Sequence, residues 1–382
     1  MKRCTLLLIC LLLTACASAP PAPPVQPQLF NDALFEPPEQ AVGPQQIFAL
    51  TDGMRRYVDA ELSSQVRTKG LRQGLLDALY RKNQLRLEYD SERTRNAAEA
   101  FEARSGNCLS LVIMTAAIAK YMGIQVSYQS VYIDEVWTRS DDIYFASGHV
   151  NLTLGQPLIE ARSDSRTTWT IDFLPSEDLR GLRSREVGES TIVAMYMNNR
   201  AAETLADGDL NAAYAWARAA VTHEPRFLSA YNTLGVIYLR HGQPQLAEQA
   251  FAQVLQRSPE STVAMSNMVR TLSVQGRADE AAALSQRLAR LDPEPPFYFF
   301  ERGRAAYQQG DYASARLWFA KEVARAPYHH EFHFWLAQTE AQLGNMKAAR
   351  SQLALALSTS TTRKNQQLYA AKLDRLKHRE LQ

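Results

Sequence analysis

Cysteine is scarce in this chain: four in 382 residues, and three of them, Cys4, Cys10 and Cys16, fall in the opening "MKRCTLLLICLLLTACASAP". A fold stapled by disulfides is therefore excluded, and Cys108 is left alone in the body of the chain. Long apolar runs are missing too. The longest near the N-terminus, Leu6 to Leu13, is too short to cross a bilayer but suits the core of a secretory signal, preceded as it is by Lys2 and Arg3. No block of one charge occurs, and the formal net charge is only +2, so nothing points to nucleic acid as a partner. A composition of 46% apolar and 21% charged residues allows two ordinary globular units.

The first 15 residues read as a signal peptide. Leu13-Thr14-Ala15-Cys16 resembles the lipobox of bacterial lipoproteins, in which the cysteine is acylated after cleavage. That resemblance implies lipidation at Cys16 and a membrane-anchored protein of the cell envelope. Ala17 after the cysteine implies sorting to the outer membrane, facing the periplasm. The alternative is an ordinary cut near Ala17-Ser18-Ala19. Residues 16–40 are dense in proline ("ASAPPAPPVQPQLFNDALFEPPEQ"), which predicts an extended, semi-rigid tether of roughly 3 Å per residue.

The C-terminal half is periodic. Pro225, Pro259, Pro293 and Pro327 recur every 34 residues, with Gly208, Gly242, Gly276, Gly310 and Gly344 and with Ala213, Ala247, Ala281, Ala315 and Ala349 in the same register. Tyr231, Leu234, Gly235, Tyr238, Ala247, Phe251 and Pro259 resemble the tetratricopeptide consensus in type and spacing. The resemblance implies an all-α solenoid of five repeats over 194–363, closed by a capping helix over 364–382. It also implies a peptide-binding groove lined by Asn198, Asn232, Arg270 and Arg304, whose amides and guanidinium groups suit a backbone or carboxylate as well as they suit plain solvated surface. His329, His330 and His333 lack carboxylate or cysteine partners at ligand spacing and read as packing or surface residues, so no metal or other cofactor is expected.

Between tether and repeats, Gly106 and Asn107 predict a turn and a helix cap before an apolar helix beginning at Cys108. A cysteine there meets unpaired backbone N–H groups at the positive end of the helix dipole, the setting that lowers a thiol pKa. Downstream, "FASGHVNLTL" starts an alternating strand with His149, and "TTWTIDFLP" carries Asp172 near the end of another. Paired strands would let the aspartate orient the imidazole and the imidazole activate the sulfur.

Taken together, "TRNAAEAFEARSGNCLSLVIMTAAIAKYMGI", "GHVNL" and "WTIDF" resemble the core of the transglutaminase-like superfamily. The resemblance covers about residues 85 to 175, within a unit of 41–180 joined to the repeats by a linker of 181–193. It implies an α+β papain-like domain with Cys108 as nucleophile, His149 as base and Asp172 as orienting acid. Leu109 stands where animal transglutaminases have tryptophan, and Val150-Asn151 where many relatives have aromatic residues, which argues against glutamine–lysine cross-linking. Two functions follow: an envelope-anchored cysteine acyl-hydrolase or acyl-transferase whose repeats bind a protein or peptide, or a catalytically silent scaffold whose repeats assemble an envelope complex.

Overall fold

The computed structural model describes residues 26–38, 43–80, 87–90, 93–140, 143–157, 168–173, 183–327, 329–360 and 363–378. The signal segment and Cys16 lie outside the described residues. Short helices open the body: α1 (Asp52–Tyr57), a π-helical turn (Val58–Leu62), α2 (Ser63–Lys69) and α3 (Leu71–Tyr80). A two-residue strand, β1 (Glu88–Tyr89), precedes α4 (Ala97–Ala103), β2 (Ser105–Gly106) and α5 (Cys108–Tyr121).

Local chemistry sets each of these boundaries. Asn96 caps α4 in a capping box with Glu99, and Arg104 takes the left-handed conformation that ends it. Asn107 caps α5, its side chain accepting from Ser110 N–H at 2.9 Å. Every residue of α5 from Leu109 to Ala119 is buried, as an apolar helix enclosed on all sides must be. It packs on α4 and on the two long strands of an antiparallel sheet. That sheet has the order β5 (Trp169–Ile171), β4 (Ile143–Pro157), β3 (Ile124–Ser140), β6 (Arg183–Val187).

Helix pairs follow: α6 (Glu189–Ala206) with α7 (Leu210–His223), α8 (Leu228–Arg240) with α9 (Pro244–Arg257), and α10 (Thr262–Val274) with α11 (Ala278–Leu291). After them come α12 (Tyr298–Gln308) with α13 (Tyr312–Arg325), α14 (His330–Gln342) with α15 (Met346–Thr359), and the single α16 (Arg363–His378). The recurring glycine sits between paired helices with φ of 74° to 87° in all five turns, a region that side chains with a Cβ rarely enter. Inside a pair, Gly235 lies against the Phe251 ring, where a Cβ would approach it to 2.6 Å. A Gly235→Ala protein is expected to lose a net of about 1–2 kcal/mol, strain exceeding the gain in helix propensity, read as a lower urea midpoint at unchanged m.

Two boundaries drawn from sequence are corrected. The predicted linker of 181–193 is not a linker where described: residues 183–187 form edge strand β6, paired with β3 from Tyr128↔Val187 to Tyr132↔Arg183, and α6 begins at Glu189. One continuous apolar cluster runs from Ile113 and Leu152 through Ile192, Tyr231 and Val254 to Ala264, so the sheet and the first repeats share a core.

The second correction concerns the tether. Residues 26–36 are not extended into solvent but strapped across α7, α8 and α9 in two short 3-10 turns. Leu29 is 2% exposed, and its carbonyl accepts from the Tyr238 hydroxyl at 2.7 Å. Phe35 stacks on Tyr214 with ring centroids 4.0 Å apart. Apolar residues interleaved with the prolines outweigh the proline preference for a solvated extended chain.

Candidate active site

Cys108 stands first in α5, half-buried and unpaired. The turn that delivers it is tight because Gly106 lies on the first turn of the helix, where a Cβ would come within 2.6 Å of Ser110 Cβ. Ser110, fully buried, locks this turn: its hydroxyl donates to Asn107 Oδ1 at 2.8 Å and accepts from Arg95 N–H at 2.8 Å.

Strands β4 and β5 pair with Leu152 opposite Ile171, which carries His149 and Asp172 to one place. His149, 3% exposed, holds both carboxylate oxygens of Asp172 with Nε2, at 2.7 and 2.9 Å. Asn151, two residues on along the same face of β4, donates from Nδ2 to Asp172 Oδ2 at 3.1 Å. With Nε2 committed, Nδ1 is the nitrogen left over; it is buried and has no conventional hydrogen-bond partner. The Cys108 sulfur lies close enough to the ring to act on its pKa. Burial alone would pull the imidazole pKa down, but the hydrogen bond to Asp172, the contact with Cys108 and the charges of both push it up to about 9. A pKa raised in this way favours the imidazolium, paired with the Asp172 carboxylate.

The structure thus brings Cys108, His149 and Asp172 together, on α5, β4 and the residue following β5. Two further residues of the site are not assigned to it by the sequence. Asn151 was legible only as a departure from a familiar pattern, and Tyr89 belongs to a strand of two residues, too short for any periodicity. Tyr89 lies opposite Gly106 in the parallel β1–β2 pair, and its hydroxyl lies near the Cys108 backbone N–H. Among the described residues, no cluster of histidine, cysteine, aspartate and glutamate is arranged to hold a metal ion.

The nucleophile turn is also tied to the first repeat helix. Thr94, 1% exposed, accepts at its hydroxyl from Asn107 Nδ2 at 2.8 Å and from Asn199 Nδ2 at 3.2 Å, and its N–H donates to Glu203 Oε1 at 2.7 Å. Burial raises the Glu203 carboxyl pKa against the lowering effect of Thr94 and Arg200.

The proposed groove residues separate into two groups. Asn198 and Asn232 are only 8% and 7% exposed, and Asn232 accepts from Asn267 Nδ2 at 3.0 Å. Buried in this way, they do not line an open groove. Arg270 is half-buried and engaged with neighbours, and Arg304 lies over the Trp335 ring at 5.5 Å. The histidines of α14 serve packing: His333 bonds Gln352 Oε1 and the Pro327 carbonyl, each at 2.7 Å, while His329 stacks on Phe332 with centroids 4.1 Å apart. Burial, then the neighbouring His330 and His333, lowers the His329 pKa to about 4.

Residues 201–262 and 238–298 each match a family described as tetratricopeptide repeat, over the helix pairs just described. Residues 201–298 are tetratricopeptide repeats. Repeats of this type generally bind protein or peptide partners. Similar solved structures include TTC0263, a thermophilic tetratricopeptide-repeat protein of Thermus thermophilus, at 18% identity and a TM-score of 0.32, covering 47% of this chain and 98% of its own. YrrB, described as a repeat protein with an unusual peptide-binding site, shares 21% identity over 47% of this chain and 92% of its own, with a TM-score of 0.26. Pseudomonas aeruginosa pilF shares 19% over 50% and 85% respectively, with a TM-score of 0.31. No curated protein matches the chain.

Proposed function

We propose that this chain is a thiol-dependent acyl-transferring or acyl-hydrolysing protein of the transglutaminase-like kind, anchored in the bacterial envelope by lipid at Cys16, with repeats that hold a protein or peptide partner. One observation carries the catalytic part: a buried imidazole, oriented by Asp172 through Nε2, stands close to a cysteine at a helix N-terminus. Attack of the sulfur on an amide or ester carbonyl would give a thioester on Cys108, with His149 returning a proton to the leaving group. The buried inner face at Asn198 and Asn232 confines partner binding by the repeats to their other surfaces, Arg270 and Arg304 included.

Trapping tests the reading directly. Incubated with an envelope extract, the wild-type protein is expected to carry acyl adducts on Cys108, detected by mass spectrometry and released by hydroxylamine, and a Cys108→Ala protein none. Adduct-free wild type, with partner capture by the repeats intact in both proteins, would favour the silent scaffold instead.

A further inference from the structure

An acyl transfer from Cys108 needs two donors at the oxygen that turns negative, and the Cys108 backbone N–H is only one. We propose that the Tyr89 hydroxyl is the second: it occupies the oxyanion position of the resting site and turns its proton onto the substrate oxygen when the carbonyl displaces it. This inference rests on the acyl-transfer reading above.

The geometry fixes Tyr89 where such a donor must be. β1 pairs in parallel with β2, with Glu88 opposite Ser105 and Tyr89 opposite Gly106, two residues before the nucleophile. Asp90 N–H donates to the Gly106 carbonyl at 3.0 Å, which closes the pair just beyond Tyr89. Four N–H groups at the start of α5 lack helical acceptors, and Asn107 Oδ1 takes that of Ser110. The Tyr89 hydroxyl lies near the Cys108 N–H, the donor that a tetrahedral intermediate requires. Tyr89 as a whole is 39% exposed. Burial of the hydroxyl end, then the charges of Cys108 and Asp90, pushes its pKa above the ordinary tyrosine value, so the phenol keeps the proton it must donate.

The step balances without any further group. The Cys108 sulfur lone pair forms the S–C bond while the carbonyl π pair moves to oxygen, where the Cys108 N–H and the Tyr89 O–H meet it. Collapse restores C=O and expels the leaving group, which takes the His149 proton and leaves the ring neutral, giving the thioester. Water then attacks the thioester, His149 accepts the water's proton, and the acid is released with the thiol regenerated.

Two probes separate this role from simple packing. Reaction with 4-nitrophenyl acetate passes through an oxyanion and releases nitrophenolate, whereas iodoacetamide alkylates the same sulfur by displacement of iodide and forms none. In a Tyr89→Phe protein the nitrophenolate burst is expected to slow by about 10²-fold while alkylation proceeds at the wild-type rate, which also reports an intact site. Equal slowing of both reactions, or an unchanged burst, overturns the assignment. A wild-type protein that gives no burst, and whose alkylation ignores His149, overturns the acyl-transfer reading itself.

Discussion

At pH 6 a His149→Ala protein is expected to alkylate Cys108 with iodoacetamide at least roughly tenfold more slowly than wild type, because the sulfur loses the cation that faces it. The pH dependence of stability follows from the same ring. His149 is raised from an ordinary value of 6.5 to about 9 in the fold. A raised imidazole contributes stability in full below its unfolded value and loses it as pH climbs through the folded one. The window is therefore pH 6.5 to 9, and with the ring 3% exposed the contribution is on the order of 2–3 kcal/mol. Urea titrations of wild type and Asp172→Asn across that window read it: wild type falls with rising pH, and the variant, whose imidazole lacks its main anchor, falls less. Labelling that His149→Ala leaves unchanged, together with parallel stability profiles, would sink the ion pair.

The sequence carried the parts of this site that obey local rules. Gly-Asn-Cys before an unbroken apolar run specifies a capped, buried helix with cysteine first, and the alternation around His149 and Asp172 specifies two strands whose short connection makes them neighbours. The 34-residue register specifies the helix pairs equally well, since each repeat buries itself on the next. What escaped was long-range. Tyr89 reaches Cys108 only because two-residue strands pair across α4, and Thr94 meets Glu203 109 positions away. The charged stretch at 183–187 reads as a linker by composition, yet an edge strand tolerates charge on its exposed side, and β6 needs only β3 as a neighbour. Asn198 and Asn232 look like groove residues as long as repeat positions alone are considered; in the fold both are buried, and Asn232 is bonded to Asn267.

A Leu29→Ala, Phe35→Ala protein is expected to unfold about 3–5 kcal/mol more easily than wild type, although both residues lie in a stretch whose proline content suggests a free tether. Leu29 is buried between α8 and α9, next to Leu246 and Gln253. Phe35 fills the space above Tyr214 at 4.0 Å and touches His241 at 4.7 Å. The polar contacts around them depend on that docking: Tyr238 O–H donates to the Leu29 carbonyl while its oxygen accepts from Asn31 N–H at 3.1 Å, and Tyr214 O–H donates to Asp32 Oδ1 at 2.7 Å. Truncating the two anchors leaves Tyr214 and Tyr238 hydroxyls facing a loosened segment, so the loss exceeds the transfer free energy of the deleted atoms alone. Asp32 and Arg218, 2.9 Å apart but largely exposed, add little, and an Asp32→Asn protein is expected to stay close to wild type. The measurement is the urea midpoint of both proteins, with limited proteolysis at residues 26–36 as the local readout. A segment that is merely solvated would leave the double variant within about 0.5 kcal/mol of wild type and would be cleaved equally fast in both; a docked strap gives a large shift and cleavage only in the variant.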